Sequence, residues 1–195
     1  MSVFRRGGNF FAEKSVAYFS EIRYIEYMSN SALQKAYELL RRETPLYTDC
    51  GKLCGRACCK GDGRTGMNLL PGEPELLAGK GFDILPPEGN HGCPVLVCGG
   101  RCDRAFRPFA CRIFPLYPLV TLDGSGSPRV GVVYDPRSES LCPLAADKAI
   151  LNRNFVTAVR RAAKYLLRDE KIRAYLLSAS ADILEIEELK RKLFK

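Results

Sequence analysis

Eight of the chain's nine cysteines fall between positions 50 and 111. The same 62 residues hold 12 of the 17 glycines and six of the 12 prolines, but only 14 Val, Ile, Leu, Met, Phe or Tyr. A segment so poor in apolar side chains cannot bury enough surface to offset its own ordering entropy. The chain as a whole can: with 195 residues, 46% of them hydrophobic, a globular domain buries roughly 70% of its unfolded surface without disulfides. Clustered thiols are therefore expected to order the middle through metal. Thiolates are soft donors that select zinc, copper(I) or iron–sulfur clusters. Structural zinc contributes on the order of 10–16 kcal/mol in small peptides. The bland alternative, buried thiols acting as small hydrophobes, suits Cys98 or Cys59 individually but not all nine.

The spacing is Cys50-x3-Cys54-x3-Cys58-Cys59, then Cys93-x4-Cys98-x3-Cys102-x8-Cys111, with Cys142 beyond. On a helix, Cys50, Cys54 and Cys58 would share one stripe; Gly51 and Gly55 favour turns instead. In an extended chain, adjacent Cys58 and Cys59 point to opposite sides. They then suit two centres, a bridging arrangement, or one ligand beside one packed thiol. Eight ligands divide into two tetrahedral sites; the alternative is a single cluster with four spare thiols.

At these residues the chain resembles the zinc- or iron-chelating domain proteins named for their CxxCxxCC motif. The counterparts are Cys50, Cys54, Cys58 and Cys59, then Cys93-Pro94-Val95-Leu96, Cys102, Arg107-Pro108, Cys111-Arg112 and Phe114-Pro115, with Cys142-Pro143 matching a later Cys-Pro. The first motif is one residue wider at each gap. The interval from Cys102 to Arg107 is one shorter, with Phe106 near the place of the family's tyrosine. The resemblance spans about residues 48–143 and implies metal chelation without a settled reaction. It makes Cys50, Cys54, Cys58, Cys59, Cys93, Cys102, Cys111 and Cys142 ligand candidates and leaves Cys98, which has no counterpart, without metal. Arg107 and Arg112 are expected to offset the double negative charge of a tetrathiolate zinc site, and Pro108 to stiffen the approach to Cys111. The pattern also resembles part of the flagellin lysine N-methylases, which are much longer.

Other features weigh against competing chemistries. His91, the only histidine, has no nucleophile beside it in sequence and is expected to face solvent. The formal charge of +8 points toward nucleic acid, yet eight thiolates holding two divalent ions would reduce it to about +4. Arg160, Lys164, Arg168 and Lys171 form a stripe without the interleaved aromatics that stacking on nucleic acid favours. Met1 to Lys14 show no signal-peptide pattern, and no apolar run approaches the roughly 18 residues of a membrane span. A cytoplasmic protein is expected, its partner a metal ion, with neither nucleic acid nor membrane as principal partner.

The expected architecture is a single α+β domain over 1–195. A cysteine-rich, loop-dominated metal module at about 48–143 carries a β-hairpin and is enclosed by N- and C-terminal helices, the C-terminal helical part occupying about 144–195. Helices are expected at Val16 to Met28, from a Ser31 cap through Leu33, Ala36, Tyr37 and Leu40, along the Phe155–Leu167 apolar face, and as two short segments at Lys171 to Ala179 and Asp182 to Phe194. Leu119–Leu122 and Val130–Tyr134 should pair across Asp123–Ser127. The expected function is binding of zinc or an iron–sulfur centre in a biochemical role left unassigned. An iron–sulfur redox or methyl-transfer enzyme and a zinc module that binds nucleic acid are the alternatives.

Overall fold

The computed structural model describes residues 31–61, 66–87 and 92–193, so the expected Val16–Met28 helix and His91 lie outside the described residues. Its largest apolar faces belong to the C-terminal part, where the short α4 (Pro143–Ala146) precedes two longer helices. Helix α5 (Arg153–Leu166) is capped by Asn152, whose side chain accepts from the Asn154 amide at 2.9 Å. It buries Phe155, Val159, Ala162, Ala163 and Leu166, the face expected from their spacing. Asp169 then caps the next turn through the Ile172 amide at 2.8 Å.

From there α6 runs unbroken over Glu170–Leu193, where two shorter helices were expected. The polar Ser178–Ser180 stretch does not break it because the buried Ser180 hydroxyl is fully occupied. It donates to the Leu176 carbonyl one turn back and accepts the Val120 amide of the neighbouring hairpin, at 2.6 and 2.8 Å. Such back-bonding keeps a serine inside a helix, and here it also fastens the hairpin. The helix that reaches residue 39 (α1, residues 31–39) places Leu33, Ala36 and Leu40 in the same core. Ser31, expected as the cap, is itself within the helix.

The hairpin is longer than expected. Strands β4 (Leu116–Tyr117) and β5 (Val120–Leu122) pair antiparallel with β7 (Val133–Tyr134) and β6 (Pro128–Val130) respectively. One register runs through both ladders: Leu116 faces Tyr134, and Leu122 faces Pro128. Pairing lapses only around Pro118, which has no N–H to donate, and resumes where Gly131 donates to Leu119 at 2.8 Å.

The middle segment is less uniform than its composition. Between Gly66 and Val97, β1 (Gly66–Asn68), β2 (Asp83–Leu85) and β3 (Val95–Val97) form an antiparallel sheet of order β1-β3-β2. With α2 (Glu73–Leu77) it encloses a small core of Leu69, Leu77 and Leu96. Concentrating its few apolar residues there gives this part an apolar core, and leaves loops on both sides. The whole is α+β, as expected. No helix among the described residues is long and apolar enough to cross a membrane.

The hairpin tip yields a pH test. Asp123 accepts from the Ser125 hydroxyl and amide, the Arg129 guanidinium and the Ser127 amide. These donors, Ser125 first, hold its carboxyl down at about 2, below its ordinary 3.8. A depressed carboxylate stabilises the turn fully above 3.8, and that stabilisation is lost as the pH falls through 2. The Asp123 carboxyl carbon should titrate near pH 2 by NMR and move upward in Arg129→Leu. An ordinary inflection in the wild-type chain would refute the turn geometry.

Candidate metal centre

The first cysteine loop is built from turns, as its glycines require. Cys50–Lys52 and Ala57–Cys59 are single 3₁₀ turns. Asp49 caps the first through the Gly51 amide at 3.1 Å. Between them Gly55 and Arg56 both take left-handed backbone, at φ 60° and 58°, a conformation that costs a non-glycine residue about 1 kcal/mol or more. This reversal turns the chain so that Cys58 and Cys59 re-enter beside Cys50 and Cys54. They lie on a turn rather than in extended chain, and their sulfurs stand 3.9 Å apart.

Six cysteines, Cys50, Cys54, Cys58, Cys59, Cys111 and Cys142, line one pocket of about 140 Å³ together with Arg56, Arg104, Arg107 and Arg112. The mutual charges of the thiols divide them further. Cys50 is pushed up first by burial, then by Cys54, Asp49 and Cys142; Cys58 likewise faces Cys50 and Cys54. Cys111 is pushed well above the thiol range by burial and then by Cys102, Cys98 and Cys59. One neighbourhood is thus Cys50, Cys54, Cys58 and Cys142, the other Cys59, Cys98, Cys102 and Cys111. The Cys58–Cys59 pair joins them. Within that pair the Cys58 S–H stabilises the Cys59 thiolate, which Arg107 and Arg56 also favour, bringing Cys59 down to about 6.

Cys93 stands apart. It is buried away from the pocket, pushed up by desolvation and by Glu73. Cys98, which the family pattern leaves out, lies among the second group, its sulfur accepting the Gly100 amide at 3.4 Å. The two loops that carry these thiols touch backbone to backbone. A Cβ on Gly61 would fall 1.7 Å from the Cys98 carbonyl oxygen, and one on Gly100 would fall 3.0 Å from that of Cys59.

The two expected arginines differ in role. Arg107 hydrogen-bonds to Cys102 and feels Cys59 and Cys111. Its buried Nε has no partner among the described residues. Arg112 lines the pocket but is engaged by the scaffold: it donates to the Arg107 and Ala105 carbonyls at 2.7 and 2.6 Å and lies 4.0 Å from the Tyr37 ring centre. Those bonds fold the 105–107 turn onto α3 (Phe109–Ile113), the short helix that carries Cys111.

Beneath α3 sits a residue that sequence reasoning passed over. Glu73 is completely buried. It accepts the Phe109 amide at 2.6 Å, the Leu70 amide at 2.7 Å and the Tyr37 hydroxyl. Burial pushes its carboxyl up; the three donors and the Arg112 charge oppose that. Flanked by Gly72 and Pro74, Glu73 resembles an ordinary first-turn acid, and only the approach of α1 and α3 makes it a core residue. Arg56, Arg104 and Asp49 at the pocket were also missed, although Asp49 and Arg56 lie within or beside the first motif.

The thiols are soft donors in kind, and guanidinium groups with one orphaned buried N–H stand among them. No three His, Cys, Asp or Glu side chains among the described residues stand in coordinating geometry. Comparison with family models, curated proteins and solved structures finds no match to this chain.

Two substitutions test this scaffold. Glu73→Ala strands three donors, the Leu70 and Phe109 amides among them buried, and should cost about 3–5 kcal/mol in denaturant unfolding, against about 1.5–3 kcal/mol for Tyr37→Phe. Gly61→Ala forces a methyl into the Cys98 carbonyl and should cost about 1–3 kcal/mol while parting the two thiol loops. Unchanged spacing between spin labels on the loops would contradict that contact.

Proposed function

We propose that this protein binds zinc or an iron–sulfur centre through two groups of cysteines, Cys50, Cys54, Cys58 and Cys142, and Cys59, Cys98, Cys102 and Cys111. The observation that carries the reading is the convergence of thiols from three separated stretches, at 50–59, 111 and 142, on one arginine-lined pocket. Thiols repel one another once ionised, so four guanidinium groups around them favour the thiolate form that a soft metal requires. When bound, the metal would supply the attraction that draws these sulfurs into coordination. Cys58 and Cys59 deliver one sulfur to each group. Arg107 would donate to the sulfurs of the second group, Nε included. This ligand set departs from the family pattern at two positions: Cys98 enters and Cys93 leaves.

Elemental analysis and a visible spectrum of anaerobically prepared protein test the reading. Zinc or iron should copurify, and the content should fall in Cys54→Ser, Cys98→Ser and Cys102→Ser but not in Cys93→Ser. A metal-free wild-type chain would refute metal binding. Loss in Cys93→Ser with full content in Cys98→Ser would restore the family's assignment. Chelation under reducing conditions should speed amide exchange across 50–61 and 98–107, while the sheet over Leu69, Leu77 and Leu96 keeps its protection.

A further inference from the structure

Helix α5 carries Arg153, Arg160, Arg161 and Lys164 and no carboxylate. With about 3.6 residues per turn, these four and Arg168, just beyond the helix, fall on one ridge, and all five are exposed. The only other exposed positions from 153 to 168 are Asn154 and Thr157. The solvent face of this segment is therefore five cations, an amide and a hydroxyl, about 20 Å long, while the apolar face lies buried in the core.

The other two helices of comparable exposure, α1 and α6, mix signs. Lys35 pairs with Glu38 at 2.7 Å, Arg173 with Glu170 at 3.3 Å and Lys192 with Glu188 at 2.8 Å. None of the five ridge cations has a carboxylate partner among the described residues. The arrangement works against the helix itself. Arg153 stands at the positive end of the helix dipole, and Arg160 with Lys164, then Lys164 with Arg168, set like charges one turn apart. A face that served solubility alone would intersperse acids, as α6 does. A single-sign ridge is shaped for an external polyanion.

We propose that the α5 ridge docks the phosphate backbone of double-stranded nucleic acid, without regard to base sequence. The composition of the ridge selects this occupant. A protein partner needs apolar or aromatic anchors at the centre of the contact, and a membrane surface needs an exposed apolar helix face; the ridge offers neither. A single strand is held by stacking on open aromatic rings. The ring beside the ridge, Tyr165, is half-buried and covered by Arg168, whose guanidinium carbon lies 4.4 Å from its centre. A duplex keeps its bases stacked on one another and presents phosphates, which arginine, lysine, asparagine and threonine side chains contact. The lack of open aromatics thus tells against strands and not against duplexes. Metal at the thiols would lower the net charge but leave this ridge unchanged, since no cysteine lies between 153 and 168.

The test is fluorescence anisotropy of the full chain with two labelled DNA duplexes of unrelated sequence, each about two helical turns long, over a range of KCl. Both should bind alike, with log K falling against log[KCl] at a slope of about −4.5, as five phosphate contacts require. The triple variant Arg160→Gln, Arg161→Gln, Lys164→Gln should melt no lower than wild type, because it removes like-charge pairs and keeps helix-forming side chains. It should flatten the slope by about 3 and weaken binding at least tenfold at about 0.1 M salt. Lys190→Gln, Arg191→Gln, Lys192→Gln, which takes the same charge from the end of α6, should stay within about twofold of wild type. Equal loss in both triple variants would reduce the binding to net charge and overturn the proposal. So would no binding at about 50 mM salt, preference for one duplex sequence, or tighter binding to the separated strands or to phosphatidylserine vesicles.

Discussion

The buried carboxylate of Glu73 is the constraint on which the thiol pocket depends. A polar group inside a protein is tolerated only where partners replace its water, and Glu73 finds them on three separate segments: Tyr37 of α1, Leu70 before α2 and Phe109 at the first turn of α3. These bonds tie the cysteine-rich middle to the helical core at one point. They orient α3, which five residues of helix could not do alone. Cys111 and Arg112, with Phe114 that follows, then line the thiol pocket.

The thiol pocket is assembled by backbone shape more than by apolar burial. Left-handed residues 55 and 56 reverse the first loop, and Gly61 and Gly100 let it meet the second at backbone distance. Few hydrophobic contacts secure these loops, in contrast with the small core of Leu69, Leu77 and Leu96 between them. Arg104 anchors one side by donating to the Glu43 carbonyl. Cys142 arrives from beyond the hairpin, whose continuous register and attachment to Ser180 set where the chain returns.

The helices and the hairpin were legible in the sequence because their signals are local. Phe155, Val159, Ala162, Ala163 and Leu166 recur at helical spacing and are buried as that spacing requires. Asp123-Gly-Ser-Gly-Ser carries its own turn chemistry, and Gly51 and Gly55 correctly exclude a helix through the first motif. Where expectation and structure part, a distant contact decides. The Val120 amide lets Ser180 sit within one long helix, and Leu116–Tyr117 extend the hairpin because β7 lies opposite them.

The sequence by itself determined that this chain is α+β, that its apolar residues are concentrated outside the cysteine loops, and that it carries nine thiols at short spacings suited to soft metals. These follow from composition and local periodicity, which do not depend on the rest of the fold. Which thiols become neighbours was decided only by tertiary structure. Spacing treats Cys93 and Cys98 as near equals, five residues apart. The sheet pairing of β3 between them sends Cys93 down toward Glu73 and carries Cys98 over to Cys111 and the Cys59 loop. The isolation of the Tyr117 hydroxyl has the same origin. A tyrosine in a strand looks like any other until Asp135 closes on Arg137, and Asn68 on Tyr175, and its hydroxyl is left without a partner among the described residues.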